Sequence, residues 1–242
     1  MVVFQALSWE ARDCGDEEND EPREYLISIF GRTEDGKSVS VTTPFKPYFF
    51  IKLEKNVTEH AIKVLWSKLE ALADSYELLR AKDLWGFQNN EKFPFMKVNF
   101  TSLENMRKCN GKLRYQTPPV KVFESNLDPV LRFMHRSGIQ STGWLDTGAE
   151  CSRSNLTHCK VDLFCNDWKT LKPVQKDDVA PFVVASFDIE SYSSTGKFPD
   201  PSVPGDAVFQ VAFTLKKLGA VDIHERVCFC YKKTEQPPNG TV

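Results

Sequence analysis

Between Pro47 and Glu124 the hydrophobic pattern changes period in a set order, and that order constrains the fold more than any other feature of the chain. PYFFIKL is a short apolar run of strand type. In EHAIKVLWSKLEALADS, Ile62, Leu65, Leu69, Leu72 and Ala73 recur at helical spacing, so a helix beginning near Thr58 has one apolar face. YELLRAKDLWGF and FPFMKVNF read as two strands around a turn at Gln88-Asn89-Asn90. Thr101 and Glu104 have capping-box spacing, each side chain satisfying a backbone N–H, and the helix they open is predicted to stop at Gly111. PVKVFE adds a last strand. The order is strand-helix-strand-strand-helix-strand, the split βαβ arrangement of ferredoxin-like and RNA-recognition-type domains.

The flanks are β-rich. MVVFQALSWEA is a strand, and the acidic stretch from Asp13 to Pro22 has little to bury and reads as a solvated loop. Tyr25, Ile27 and Ile29 alternate with their neighbours up to Asp35-Gly36, the turn before Val39 and Val41, which is a hairpin signal. Further on, Asp128 as N-cap and Pro129 at the first helical position open a helix that Gly138 stops. GWLDTG and CKVDLFC read as strands that join the first forty residues in a second small β-rich subdomain. PVQKDDVAP, between Pro173 and Pro181, is the best domain boundary. The expected fold class is α+β. Residues 1–180 form a β-rich domain with a ferredoxin-like subdomain inserted at 47–124, and residues 181–242 begin a second domain.

At 242 residues, 41% hydrophobic and 26% charged, the chain has the apolar content for a folded core and more than one domain. Its net charge of -2, from 31 basic and 33 acidic residues, excludes the strongly basic balance of a general nucleic-acid binder, so any DNA contact must be local. No stretch approaches the roughly 20 apolar residues of a membrane-spanning helix, and no basic segment leads into an apolar run at the start. A soluble intracellular protein with no membrane partner is expected. Its 7 cysteines are expected to be reduced. Cys151, His158, Cys159 and Cys165 crowd together without the Cys-X2-Cys spacing of a zinc site.

Chemistry enters after the boundary, in FVVASFDIESYSSTGKFPDPSVPGDAVFQVAFTL. On a strand, Asp188 and Glu190 project to one face and Ile189 to the other. Two carboxylates side by side repel unless a cation sits between them, and hard divalent ions such as Mg2+ or Mn2+ favour such oxygen ligands. A lone Asp-X-Glu is most often a solvated strand end. Here a Gly/Pro-rich loop follows, then AVFQVAFTL and RVCFCYKK, as in the first three antiparallel strands of an RNase H-like nuclease sheet.

FDIE followed by GKFPDP and DAVFQVAFTL resembles the first exonuclease motif of family B DNA polymerases. PFKPYFFIKL is similar to the Pro-Tyr-Phe segment of their N-terminal domains, and DPVLRFMHRSGIQSTGW to the helix and Gly-Trp strand leading toward the exonuclease. AKDLWGFQNNEKFPFMKVNF with MRKC looks most like the delta-type enzymes of large nucleocytoplasmic DNA viruses. The resemblance covers nearly the whole chain. It implies a DNA-directed DNA polymerase that replicates DNA and proofreads by two-metal 3'-5' exonuclease hydrolysis. Asp188 and Glu190 would be catalytic residues and metal ligands, with Mg2+ or Mn2+ as cofactor. The implied partners are primer-template, single-stranded DNA and, in the complete enzyme, deoxynucleotides and a sliding clamp or accessory subunit. The implied location is the nucleus or a cytoplasmic viral factory of a host cell. Carboxylates of the second and third exonuclease motifs and the palm aspartates would lie past residue 242, so this piece alone is expected to be inactive.

Two other readings stand beside it: a non-catalytic nucleic-acid-binding module of the same architecture, and a free-standing nuclease, for which sixty residues after the boundary are too few. Trp85, Phe87, Phe93 and Phe95, with Lys82, Lys92 and Lys97, mix aromatics and positive charge on the split βαβ sheet, where base stacking and core packing compete as explanations.

Overall fold

The computed structural model describes residues 1–15, 24–83, 86–117 and 119–231. The chain divides into two compact units, Met1–Thr33 with Lys37–Asp177 and Glu34–Gly36 with Asp178–Val242.

The first unit opens with β1 (Val3–Cys14), β2 (Glu24–Thr33) and β3 (Ser38–Pro44), an antiparallel meander. There follow β4 (Tyr48–Lys52), α1 (Glu59–Ser67), β5 (Ser75–Ala81), β6 (Phe93–Asn99), α2 (Leu103–Arg114) and β7 (Val122–Phe123). The unit ends with α3 (Pro129–Ser137), β8 (Trp144–Asp146), β9 (Ser152–Arg153), β10 (Val161–Phe164) and β11 (Lys172–Val174). Two sheets result: seven strands in the order β11-β8-β1-β2-β3-β10-β9, and four antiparallel strands in the order β5-β6-β4-β7. Each has its own core. Phe4, Ile27, Ile29, Val41, Phe133 and Leu145 are fully buried around the larger sheet. Phe49, Ile51, Met96, Val98 and Phe100 do the same beneath α1 and α2.

Four local expectations need correction. The strand β1 runs through Asp13 to Cys14, where a loop was expected; residues 16–22 of that loop lie outside the described residues. α1 stops at Ser67, and Leu69 and Ala73 reach the core from successive turns closed on Trp66 and Leu69 carbonyls. α2 is capped by Ser102 rather than Thr101, and Glu104 bonds Lys108 (2.6 Å) one turn on. The same helix runs through Gly111 to Arg114, because burying Cys109 and Leu113 outweighs the roughly 1 kcal/mol cost of an interior glycine. α3 has its expected ends: the Asp128 carboxylate accepts the Val130 N–H at 2.7 Å, and Gly138 terminates it at φ 73°.

Cys151 and Cys165 form a disulfide, against the expectation of reduced thiols. The cause is local. β9 and β10 pair antiparallel with Ser152 opposite Phe164, so the next residues outward face each other.

The second unit is an antiparallel sheet of β12 (Val183–Tyr192), β13 (Ala207–Lys217) and β14 (Glu225–Cys230), in that order. With three α-helices and one 3-10 turn (Trp168–Thr170) beside fourteen strands among the described residues, the architecture is α+β and strand-rich.

Candidate functional site

The register of the second unit sorts its side chains by face. Phe187 pairs with Phe213 and that with Val227; Ile189 pairs with Val211 and that with Phe229. This face is apolar, and Phe213 and Phe229 stack with centroids 5.7 Å apart. The opposite face carries Ser186, Asp188 and Glu190 on β12, Thr214, Ala212 and Gln210 on β13, and Arg226, Cys228 and Cys230 on β14. Phe187, Val183 and Ile189 keep β12 extended through β-branched and aromatic preference, and that holds both carboxylates on one side.

Asp188 and Glu190 are both exposed. One oxygen of Asp188 accepts the N–H of Ile189 at 2.9 Å. The register slips just after Glu190: Glu190 faces Gln210 but Ser191 faces Val208, so Phe209 is an extra residue on β13. Such a bulge sharpens the local twist and re-aims the side chains beside it. The donor set suits a hard divalent cation, being two carboxylates two residues apart on one face of the strand. Among the described residues no group of three or more His, Cys, Asp and Glu is gathered to hold a metal, so the two carboxylates stand without a third such residue beside them.

The loop between β12 and β13 supplies no third ligand. Asp206 accepts the Ser194 hydroxyl and N–H, both at 2.7 Å, and the Asp200 N–H at 3.1 Å. These bonds hold its carboxyl below the ordinary range, led by the Ser194 hydroxyl. Asp200 is lowered in the same way by Ser202. Gly205 stands at φ 99° with Ser194 3.3 Å from where a Cβ would be, which lets the chain enter this turn. Both aspartates are therefore spent on closing the loop.

The aromatic residues of the four-stranded sheet divide. Phe95 is 4% exposed and packs edge-on against Phe123 at 5.7 Å, on the side of the sheet away from α1 and α2. Phe93 lies beneath Lys52 (4.0 Å) and Lys55 (5.4 Å), and Phe87 is 95% exposed. Trp85 lies outside the described residues. The sequence reading did not single out Cys228 and Cys230, whose Cys-X-Cys spacing on a strand places both on the carboxylate face.

Residues 120–241 match the model of the DNA polymerase family B exonuclease domain. A DNA polymerase of Paramecium bursaria Chlorella virus NY2A is 29% identical over 244 residues, covering 96% of this chain and 25% of the viral protein. The DNA polymerase delta catalytic subunit of Schizosaccharomyces pombe is 29% identical over 234 residues, covering 87% of this chain and 21% of its own length. The chain thus spans about a quarter or less of these curated relatives. Its fold is similar to the family B DNA polymerase of the archaeon Pyrobaculum calidifontis, with TM-score 0.69 and 19% identity over 96% of this chain and 27% of that one.

Proposed function

Since the chain belongs to the family B DNA polymerases, we propose that it forms the N-terminal part of a replicative polymerase, of the delta-like kind found in large DNA viruses, that proofreads by 3'-5' hydrolysis. The observation that carries this reading is the placement of Asp188 and Glu190 on one exposed polar face of β12, inside the matched segment.

The architecture supports a finer reading. The element order β4-α1-β5-β6-α2-β7 with sheet order β5-β6-β4-β7 is that of a ferredoxin-like subdomain at 47–124. The β12-β13-β14 ladder is the opening of an RNase H-like sheet, in a second domain that starts after Ala180.

Asp188 and Glu190 would hold Mg2+ or Mn2+ through carboxylate oxygens, with Ile189 N–H fixing the orientation of Asp188. When bound, such ions activate water and neutralise charge on the phosphate being cleaved. The polymerase would act on primer-template and single-stranded DNA, inside a host cell where that DNA is copied. Contact with unpaired template bases is open to Phe87 and Phe93, while Phe95 is packed.

The test is the complete polypeptide that carries this sequence, assayed with Mg2+ for primer extension and for removal of a mismatched 3' terminus. Both activities are expected, and both should cease with EDTA. A complete polypeptide that binds single-stranded DNA but shows neither activity would replace this reading with that of a non-catalytic binding module.

A further inference from the structure

Cys228 and Cys230 stand two residues apart on β14, both exposed, with their sulfurs 3.8 Å apart. Neither is in a disulfide. They face the same side as Asp188 and Glu190, with Ala212 and Gln210 between them on β13. Two inter-strand spacings separate the pairs, about 10 Å.

The sulfur separation carries a specific chemistry. Two thiolates on one tetrahedral zinc, each at about 2.3 Å, are themselves about 3.8 Å apart. The side chains therefore hold already the spacing that a single soft cation imposes. A disulfide would instead need the sulfurs about 2 Å apart, which requires β14 to distort. The Gln210 amide lies 3.6 Å from the Cys230 sulfur and offers an oxygen once the amide turns over. Solvent can fill the remaining position.

We propose that Cys228 and Cys230 form a two-thiolate site for a soft divalent cation of the zinc and cadmium class, separate from the hard-cation carboxylates on the same face. Binding is a proton exchange without redox: two thiols and one M2+ become M(SR)2 and two protons, so occupancy rises with pH. The proposal does not depend on the function of Asp188 and Glu190.

Titrating Cd2+ into the 242-residue chain, with the thiolate-to-metal ultraviolet band as readout, tests it. One Cd2+ per chain is expected, with at least tenfold weaker binding in both Cys228→Ser and Cys230→Ser. Full binding should remain in Cys14→Ser/Cys159→Ser and in the presence of excess Mg2+. Circular dichroism of each variant checks that its strands form, and Cys228→Ala serves if Cys228→Ser does not fold. A band that survives both single replacements, or the absence of any band in the unaltered chain with its thiols titratable, would overturn the assignment.

Discussion

The carboxylate of Asp13 accepts the backbone N–H of Leu103 at 2.7 Å, and its other oxygen accepts that of Glu104 at 2.9 Å, across 90 residues of sequence. The end of β1 thus caps the first turn of α2, where four N–H groups have no partner within the helix and the helix dipole favours a negative charge. Ser102 caps the same turn from within, its hydroxyl accepting the Asn105 N–H at 3.1 Å. Replacing Asp13 by Ala should cost about 1–2 kcal/mol of stability, and Ser102→Ala about 1 kcal/mol. Thr101→Ala should change stability by less than about 0.5 kcal/mol. Chemical denaturation of the three variants measures this, and a large loss at Thr101 with none at Asp13 would reinstate the capping box expected from the sequence.

Arg132 joins α3 to the four-stranded sheet. It is 6% exposed, donates to the Tyr48 carbonyl and to the Glu124 carbonyl (2.9 Å) and carboxylate (3.0 Å), and lies 4.0 Å over the Tyr48 ring. Burial lowers the pKa of the guanidinium, and the neighbouring Tyr48 and Glu124 counter it. Arg132→Ala strands two part-buried carbonyls and should cost about 2–3 kcal/mol. Arg132→Lys should recover little of that, since one ammonium cannot reproduce the planar fork. Recovery of nearly full stability by lysine would show that charge alone matters there.

Asp162 makes part of the first unit pH-dependent. Burial raises its carboxyl pKa, but bonds from the Ser154 hydroxyl (2.6 Å) and the Thr157 N–H (2.6 Å), with further help from Ser40 and Thr157 hydroxyls, outweigh burial and hold it below the ordinary value. A lowered carboxylate stabilises the fold above its unfolded pKa of about 3.9, and that contribution is lost as pH falls through the lower folded-state value. At neutral pH, Asp162→Asn should be less stable than the unaltered protein by about 1–3 kcal/mol. The gap should narrow once the pH drops below about 4. Denaturation curves at neutral and acidic pH measure it, and a constant gap would mean that shape rather than charge is lost.

These cases show what the sequence could reveal. Elements with strong periodicity or paired end signals were legible: the β2-β3 hairpin, α3 between Asp128 and Gly138, and the alternation of β12 that puts Asp188 and Glu190 on one face. Long-range partners were not. The cap from Asp13, the fork of Arg132 and the facing of Cys151 and Cys165 depend on how distant segments come together, and local spacing carries no signal of that. Gly111 misled for a related reason, because tertiary burial of Leu113 decides where α2 ends. At the site, the carboxylate pair could be read from a two-residue period, whereas the bulge at Phe209 could not, since it is a property of the β12-β13 register.

The isolated 242-residue chain should show no 3'-5' exonuclease activity, because no group of three or more His, Cys, Asp and Glu that could hold a metal is gathered among the described residues. Incubation of a single-stranded primer with Mg2+ tests this. Degradation that disappears with Asp188→Ala would mean that this chain alone completes the site.

The proposed role of Asp188 and Glu190 as metal-holding carboxylates of a proofreading centre is tested most directly by a double replacement by Ala in the complete polypeptide. A primer with a mismatched 3' end is incubated with Mg2+ and no nucleotides, beside a matched primer with nucleotides present. Removing the metal ligands should lower mismatch excision by at least about a hundredfold, a loss of about 2.7 kcal/mol in transition-state stabilisation, and leave extension essentially unchanged. Excision by the double variant at the rate of the unaltered enzyme would make the pair a solvated strand end and contradict the account.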